Sequence, residues 1–437
     1  MSETGQTEKF VLRGGRLRWA KLRFLISRAA SKAIREPLRK IRAPIRHFLL
    51  NFVKGFPVEL ESTELVPVEP YAGRLPSPGM RCVVYDEATV SVREHPLSRN
   101  STTRESAFYK DREFVAPKLT LESPGPHFWF SRTGLLMSPE GKIWPHSMIG
   151  PYQPRIMRAM PSVSMARDKT GEGRFVFHPS LVKSPPHIVE ERLLIVLSDS
   201  AHFGHFLLDS ATLVHLAAQI GAPMLSWRLT PWQQAICDRL GVRPGQIREL
   251  PRGNYLLERP VTSNRLTGLG ANTAHPRSRE AFDAIRANTP VEKYPDLPRR
   301  FFIMRGVRHG RILKNRAELA EALAARGVAP IQPDLLSFDE QVALFARAEL
   351  VVAEFGAAMA NLVFTPPRTK VVEIICEGQN DWWSANLCAM LGLEHVVQFQ
   401  RLTEEELRAG AIRHVVAEDF SYSADVAAIC ATVDQLI

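Results

Sequence analysis

The second half of the chain alternates short apolar runs with amphipathic segments. The apolar runs are RFFIMR (300–305), VAPIQ (328–332), LVVAEF (350–355) and KVVEIIC (370–376). Short apolar runs bounded by polar residues are typical of buried parallel strands, and helical patterns separate the first three. The β-α-β-α-β-α-β order predicts an α/β fold with a parallel sheet and right-handed crossovers.

Two of the predicted helices carry start signals. Asn315 and Glu318 have the spacing of a capping box, and Gly327 is placed to end that helix. Ser337 and Glu340 repeat the capping-box spacing before the next helical pattern.

The first half of the chain contains an earlier pattern of the same kind. RLLIVLSD (192–199) predicts a buried parallel strand, and a helical pattern follows over 206–221. Upstream, the segment 128–147 predicts two strands around the turn Pro139–Gly141.

We therefore predict five parts in the chain. They are a basic amphipathic leader (1–55), a β-rich region (56–185), a first α/β domain (186–292), a second α/β domain (293–400) and a C-terminal helical segment (401–437).

The composition is that of a soluble globular protein, with 45% apolar and 23% charged residues among 437. We expect no transmembrane helix and no secretory signal, because no apolar run fits either. The five cysteines are scattered and form no CxxC pair, so neither a zinc site nor a disulfide framework is predicted. A reducing cytosol is the expected compartment.

The basic excess of the chain lies in its leader. Residues 1–50 hold 13 Lys and Arg against three Glu, whereas the remainder holds 43 residues of each sign. Apolar residues recur there at helical spacing, with Trp19, Phe24 and Phe48 among them. Basic amphipathic segments bind anionic membrane surfaces, and a solvated tail or a nucleic-acid contact are the alternatives. The neutral body argues against nucleic acid as the main partner.

Two loops of the second domain indicate an anion site. Arg305, Arg308 and Arg311 follow its first strand, and the turn at Gly356 and Ala357 follows its third. Parallel sheets bind ligands beyond the carboxyl ends of their strands. Guanidinium groups and the amides of a helix start suit a diphosphate. The alternatives are a solvated basic loop and an ordinary tight turn.

Glu373 lies in a strand of the same predicted sheet. An acidic residue at the edge where a strand of such a sheet ends can accept hydrogen bonds from ribose hydroxyls. The alternative is a surface ion pair.

His205 and Asp209 are spaced to share one helical face, with His202 one turn before them. A histidine and a carboxylate at the mouth of a cleft can deprotonate an attacking hydroxyl. Alternatively, His205 caps the helix start and Asp209 orients it.

Three familiar motifs are absent from the sequence. Without GxGxxG or GxxxxGK[ST], a dinucleotide dehydrogenase and a P-loop NTPase are disfavoured. Without D-x-D, a metal-held diphosphate has no obvious ligands. Positive side chains and a helix terminus would have to neutralise the leaving group instead.

These stretches together resemble glycosyltransferase family 61, whose members are often labelled capsular-polysaccharide biosynthesis proteins. The resemblance rests on GHFLLD (204–209), FIMRGVRHGRILKN (302–315) and LLSFDEQVALFARAELVVAEFGAAMANLVFTPPRTKVVEI (335–374). It extends over about 190–375 and covers residues 1–185 only loosely.

The resemblance implies a GT-B-like pair of facing α/β domains and inverting transfer, without a metal or other cofactor, from a nucleotide-sugar donor. The acceptor would be a glycan or a lipid-linked glycan. We predict the following site residues: Asp209 and His205 as catalytic, and Arg305, Arg308, Arg311, Gly356, Ala357, Asn361 and Glu373 as donor-binding.

Two positions depart from the family pattern. Phe355 stands where the family usually has histidine, and Met304 where serine or threonine is common. A nucleotide- or sugar-binding protein with a decayed site is therefore an alternative, as is a hydrolase using His205 and Asp209. The main prediction is a transferase of cell-envelope or capsular polysaccharide synthesis, cytoplasmic and peripheral on the inner face of the membrane.

The charge of residues 1–50 generates the first testable prediction. Each basic residue near an anionic leaflet contributes about 1 kcal/mol of binding free energy. Deleting the leader should therefore release the protein from anionic liposomes in a flotation assay, with the fold and the activity on soluble acceptors retained. Equal flotation of full-length and truncated proteins would contradict a leader anchor.

Overall fold

The computed structural model describes most of the chain after residue 65, and some positions before it. The described residues are 56–57, 59–60, 66–99, 107, 109–126, 128–130, 134–138, 140–144, 163–167, 173–178, 187–196, 202–264, 274–305, 312–376, 383–404 and 421–437. The predicted leader lies outside them. The chain divides into two compact units, one comprising Met1–Val58 with Pro161–Ser184 and the other Glu59–Met160 with Pro185–Ile437.

Eleven short strands are described in the predicted β-rich region. They are β1 (Phe56–Pro57), β2 (Glu59–Leu60), β3 (Arg81–Tyr85), β4 (Ala88–Val92), β5 (Arg112–Ala116), β6 (Leu119–Glu122), β7 (Phe128–Phe130), β8 (Leu136–Met137), β9 (Lys142–Ile143), β10 (Val163–Arg167) and β11 (Gly173–Phe177). In the first unit, β1, β11 and β10 form an antiparallel sheet. In the second unit, β4 and β5 form a separate antiparallel pair.

β8 and β9 pair antiparallel on either side of the predicted turn, of which Glu140 and Gly141 are described and Pro139 lies outside the described residues. The segment holds three strands where two were predicted, since β7 also pairs with β8.

The first parallel sheet is built from four strands in the order β14-β13-β12-β15. These are β12 (His187–Ile195), β13 (Met224–Trp227), β14 (Ile247–Leu250) and β15 (Tyr255–Ser263). Beyond β15 the sheet continues through the antiparallel β7. Its helices are α1 (Phe203–His205, a π-helical segment Phe206–Ser210, and Ala211–Ile220), α2 (Pro231–Arg239) and α3 (Arg279–Ala287).

The second parallel sheet has five strands in the order β18-β16-β19-β20-β21. Its strands are β16 (Arg300–Ile303), β18 (Ala329–Ile331), β19 (Leu350–Glu354), β20 (Lys370–Cys376) and β21 (Glu394–Gln400), while β17 (Ile312–Leu313) pairs separately with β22 (Ser421–Tyr422). Its helices are α4 (Arg316–Ala324), α5 (Phe338–Ala346), α6 (Trp383–Leu391) and α7 (Val426–Leu436). Four 3-10 turns complete the described helical segments: Pro276–Ser278, Val291–Lys293, Pro333–Leu335 and Ala357–Phe364.

The α/β class with parallel sheets is therefore confirmed, and the strands match the apolar runs closely. Both faces of the second sheet are covered. Phe301 and Val351 point into a core that also contains Leu194 and Val261 of the first sheet. Phe302, the next residue along β16, and its partner Val352 on β19 lie in a second core. Alternate side chains of one strand enter opposite cores, which explains why these strands are apolar throughout.

The two predicted capping boxes have different outcomes. Ser337 and Glu340 form theirs, with the Glu340 amide donating to Ser337 Oγ at 3.3 Å. The Asn315 box is wrong, because that side chain does not cap α4. Its amide nitrogen donates to the carbonyl of Ala424, and its oxygen accepts from the amide of Ala424, at 2.9 and 2.8 Å. Asn315 thus ties the start of α4 to the segment before α7.

Within the described ranges, no helix combines the length and the apolarity needed to cross a bilayer. The five cysteines are all buried, and none of them forms a disulfide. The boundaries of the five predicted parts stay predictions.

Candidate functional site

The strand order of each parallel sheet reverses at one place, and open α/β sheets bind ligands at such places. In the second sheet the reversal lies between β16 and β19, whose carboxyl ends lead to Arg305 and Gly356. In the first sheet it lies between β12 and β15, and α1 with His205 follows β12. Each predicted constellation therefore follows a strand at a switch point.

Arg305 and Gly356 are in direct contact. The Arg305 guanidinium donates through Nη1 to the carbonyl of Phe355 at 2.9 Å. A Cβ atom at position 356 would lie 2.9 Å from that same nitrogen, which is closer than real Cβ contacts allow. Gly356 has φ 168°, an extended conformation open to any residue. A side chain at position 356 would therefore displace the Arg305 guanidinium without straining the backbone.

A buried ion pair beneath this turn was not anticipated from the sequence. Glu354, 1% exposed, ends β19, and Arg316 donates to its two carboxylate oxygens from Nε and Nη2 at 2.5 and 2.8 Å. Hydrogen bonding to Glu354 raises the pKa of Arg316. The available signal was an acidic residue closing an otherwise apolar strand, followed directly by the Phe-Gly turn.

Arg305 shares the environment of this ion pair. Burial lowers the pKa of Arg305, while the charge of Glu354 opposes that shift. An arginine remains charged under such conditions because its ordinary pKa is so high. Since Arg316 already occupies both Glu354 oxygens, Arg305 supplies a positive charge beyond the one that Glu354 neutralises.

The segment after Gly356 is a 3-10 helix, Ala357–Phe364. Ala357 is half-buried at its start, but Asn361 is fully buried. The Asn361 side-chain amide donates to Gln341 Oε1 at 3.0 Å, fastening this turn to α5. The Asn361 side chain therefore points into the protein, and its predicted donor contact stays a prediction.

Glu373 also has a different place from the predicted one. It is fully buried, accepting from Ser384 Oγ at 2.9 Å and contacting His395 Nε2 at 2.7 Å. Tyr109 of the β-rich region lies 3.4 Å from the same serine hydroxyl. The pair with His395 is buried and so is not the surface ion pair of the alternative, while the predicted ribose contact of Glu373 stays a prediction.

His205 and Asp209 meet as their spacing predicts. His205 Nδ1 lies 3.0 Å from Asp209 Oδ2, and the side chains are 40% and 0% exposed, respectively. Asp209 belongs to the π-helical segment of α1, a feature often found at functional sites. Asp209 can thus orient the imidazole, while His205 is the member of the pair that solvent reaches.

The starts of α1 and the 3-10 helix lie against each other. A Cβ atom at Gly204 would stand 3.7 Å from Cβ of Ala357 and of Ala360. His205 follows Gly204 and Ala357 follows Gly356, so the histidine–aspartate pair and the arginine–glycine turn border the same region. The sequence alone did not establish this proximity.

The remaining predicted residues are two arginines, and Phe355 is the departure from the family pattern that lies next to the glycine turn. Arg308 and Arg311 lie outside the described residues, so their donor contacts stay predictions. Phe355 is buried and packs on Trp383, with ring centroids 5.9 Å apart. In the part of the chain that the structure describes, no three His, Cys, Asp or Glu side chains cluster as a metal site would require.

The position of Glu373 generates a second prediction. Glu373→Ala should lower the free energy of unfolding by about 3 kcal/mol, because His395 and Ser384 lose a buried partner. Chemical denaturation measures this change. A ligand role would instead leave stability nearly unchanged and weaken nucleotide binding, and the exposed Glu318→Ala provides a matched control.

No protein of curated function matches the chain. Residues 203–372 match the family Glycosyltransferase 61. The matched range begins at α1 and ends within β20, so it includes the histidine–aspartate pair, Arg305 and the glycine turn. This match confirms the resemblance stated from the motifs over that part of the chain, and the matched family is one of glycosyltransferases.

Proposed function

We propose that this protein transfers a sugar from a nucleotide-sugar donor to a hydroxyl of a glycan or lipid-linked glycan, with inversion and without a metal. The observation that carries the proposal is the contact of Gly204 with Ala357 and Ala360. That contact brings a histidine–carboxylate pair beside a fixed arginine. Such a transfer needs a base for the acceptor hydroxyl and a positive charge for the leaving diphosphate, and these residues supply the two. The two parallel sheets would act as a GT-B-like pair.

The donor diphosphate would bind at the turn after β19. Arg305 is held there by the carbonyl of Phe355, with its charge in excess over Glu354. Arginine matches phosphate oxygens with paired hydrogen bonds. Amide groups at the start of the 3-10 helix add a further positive contribution. We propose Arg308 and Arg311 as additional phosphate contacts.

His205 would act as the base. Asp209 holds Nδ1, so Nε2 is the atom that takes the proton of the acceptor hydroxyl. As the proton leaves, the acceptor oxygen bonds to the sugar C1 from the face opposite the diphosphate. The bond between C1 and the diphosphate oxygen breaks, and its electron pair leaves with the diphosphate. Arg305 stabilises the charge that develops there.

We further propose a place for this reaction in the cell. The basic leader would hold the protein on the inner face of an anionic membrane, where lipid-linked acceptors are accessible. The product would belong to a capsular or other cell-envelope polysaccharide. This location rests on the charge of residues 1–50.

A protein that binds nucleotide sugars without turnover is the second candidate, favoured by Phe355. Its buried aromatic ring replaces a side chain that could hydrogen-bond. A transfer assay with purified protein separates the two, since a binding protein retains donor affinity but forms no product. A hydrolase using His205 and Asp209 would release free sugar without an acceptor.

The geometry of the pair generates a third prediction. Asp209→Asn and His205→Ala should each retain donor binding and reduce turnover by about two to four orders of magnitude. The double variant should lose little more, because the two residues act as one unit. His215→Gln, on the same helix but outside the pair, is the control. Turnover that survives in Asp209→Asn would remove this pair from the mechanism.

A fourth prediction concerns metals. If Arg305 and the helix start neutralise the leaving group, transfer should persist in EDTA. The assay compares chelated enzyme with enzyme resupplied with magnesium or manganese. Activity lost on chelation and restored by either ion would show that a metal performs that role.

The contact of Gly356 with Arg305 generates a fifth prediction. Arg305→Ala should weaken nucleoside diphosphate binding by one to two orders of magnitude, in line with about 1.5–3 kcal/mol for a charged hydrogen bond. Gly356→Ala should have a similar effect, because its methyl group displaces the guanidinium. The double variant should be no weaker than Arg305→Ala, since both changes remove one interaction.

Calorimetric titration of folded variants measures these affinities. Arg259→Ala, an exposed arginine on β15, is the control for loss of charge. Fully additive losses in the double variant would mean that Gly356 contributes independently of Arg305. Undiminished affinity in both single variants would leave that stretch as an ordinary turn.

A further inference from the structure

A cavity of about 510 Å³ opens at the amino edge of the second parallel sheet. Its walls are formed by the starts of β16, β19 and β20 and by the chain at the end of α5 and α7. Arg305 and Gly356 follow the carboxyl ends of the same strands, so the two regions lie at opposite edges of the sheet. The volume is within the usual range for small-molecule sites.

Positive charge dominates the lining of this cavity. Five basic side chains line it against a single acidic one, Glu349; the five are Arg299, Arg300, Arg347, Arg368 and Lys370. Such an excess favours an anionic ligand if neighbouring groups do not neutralise it.

Glu349 neutralises only part of the charge beside it. Arg299 and Arg300 both donate to its carboxylate, at 3.1 and 3.3 Å. The hydrogen bonds lower the pKa of Glu349, so this group is ionised at neutral pH. One carboxylate shared between two guanidinium groups leaves one positive charge in excess.

Arg347 and Lys370 are held in place by neutral groups. The Arg347 guanidinium donates to the carbonyls of Val291 and Tyr294, and the Lys370 ammonium donates to the carbonyl of Leu436. Within the described ranges, neither side chain forms an ion pair with a carboxylate. The ends of two helices supply only about half a negative charge each. Arg347 and Lys370 are therefore held at the cavity wall by carbonyl groups, without a side-chain carboxylate beside them in the described residues.

Arg368 is the most exposed of the five cations, and its Nε lies 3.8 Å from a carboxylate oxygen of Glu394 at the protein surface. Its φ is 66°, in the left-handed region that side chains disfavour, and among the described residues it is the one non-glycine with a positive φ. The backbone is fixed there by the Arg368 amide, which donates to the carbonyl of Gly392 at 2.8 Å. Strained positions of this kind concentrate at ligand sites. Arginine is present where glycine would relax the backbone.

We propose that this cavity binds a phosphate-bearing small molecule, as a second ligand site at the amino edge of the sheet. Arg347 and Lys370 would provide fixed positive charge, and the more exposed Arg300 and Arg368 would close on the phosphate oxygens. Arginine binds phosphate through paired hydrogen bonds, and lysine does so as a point charge. The proposal is independent of the transfer reaction, because none of these residues belongs to the candidate catalytic region.

Pyrophosphate is the probe, titrated calorimetrically into the full-length protein at constant ionic strength. The Arg305→Ala variant serves as the parent, so that the contribution of the donor region to the signal is reduced. In that parent we expect saturable binding at millimolar concentrations or below. Arg368→Gly should weaken it about fivefold or more while melting at an equal or higher temperature, because the strain is relieved. Arg259→Gln, on β15, should change neither quantity.

Lys370→Gln is the second variant and should also weaken pyrophosphate binding. Displacement of pyrophosphate by glucose 1-phosphate would identify a soluble ligand, and displacement only by vesicles containing phosphatidic acid would identify a lipid headgroup. The proposal is overturned if the Arg305→Ala parent shows no saturable binding. It is also overturned if neither Arg368→Gly nor Lys370→Gln alters the affinity. Failure here leaves the predicted nucleotide binding of the Arg305 protein unaffected.

Discussion

A buried carboxylate at the end of β19 determines the arrangement of the candidate site. Glu354 lies almost without exposure at the carboxyl edge of an apolar sheet, and burying an unpaired charge there would cost several kcal/mol. Arg316 offsets that cost through two hydrogen bonds. Arg305 lies at the same edge and donates a hydrogen bond to the carbonyl of Phe355. Its positive charge is not neutralised by Glu354, which is paired with Arg316. One cluster thus stabilises the end of the strand and holds an excess of positive charge there.

The packing between the two sheets holds Arg305 near the histidine–aspartate pair. One core contains Leu194 of the first sheet, Phe301 of the second and Phe345 of α5 between them, so these elements hold each other in place. Small residues at Gly204 and Ala357 let the starts of two helical segments approach. A larger side chain at either position would separate the histidine from the arginine, although it would leave each parallel sheet intact.

Buried polar groups in this protein serve mainly to join segments. Glu373 links β20 to α6 through Ser384, and the same serine lies beside Tyr109 of the β-rich region. Asn361 links the 3-10 helix to α5, and Asn315 links α4 to the segment before α7. Such groups are costly when unpaired, so their pairing selects one arrangement of the segments.

The sequence by itself determined the local features of this protein. The parallel strands followed from apolar runs, the Ser337 cap from its spacing, and the His205–Asp209 contact from the four-residue repeat of a helix. The family motifs marked the turn at Gly356, where the Arg305 guanidinium donates to the carbonyl of Phe355. Only the tertiary structure decided which polar residues face outward. Glu373 and Asn361 carry the same motif signal as Arg305, yet their side chains are buried by neighbours distant in sequence. The pairing of Glu354 with Arg316 and the contact of Gly204 with Ala357 depend on the same long-range packing, which no local pattern encodes.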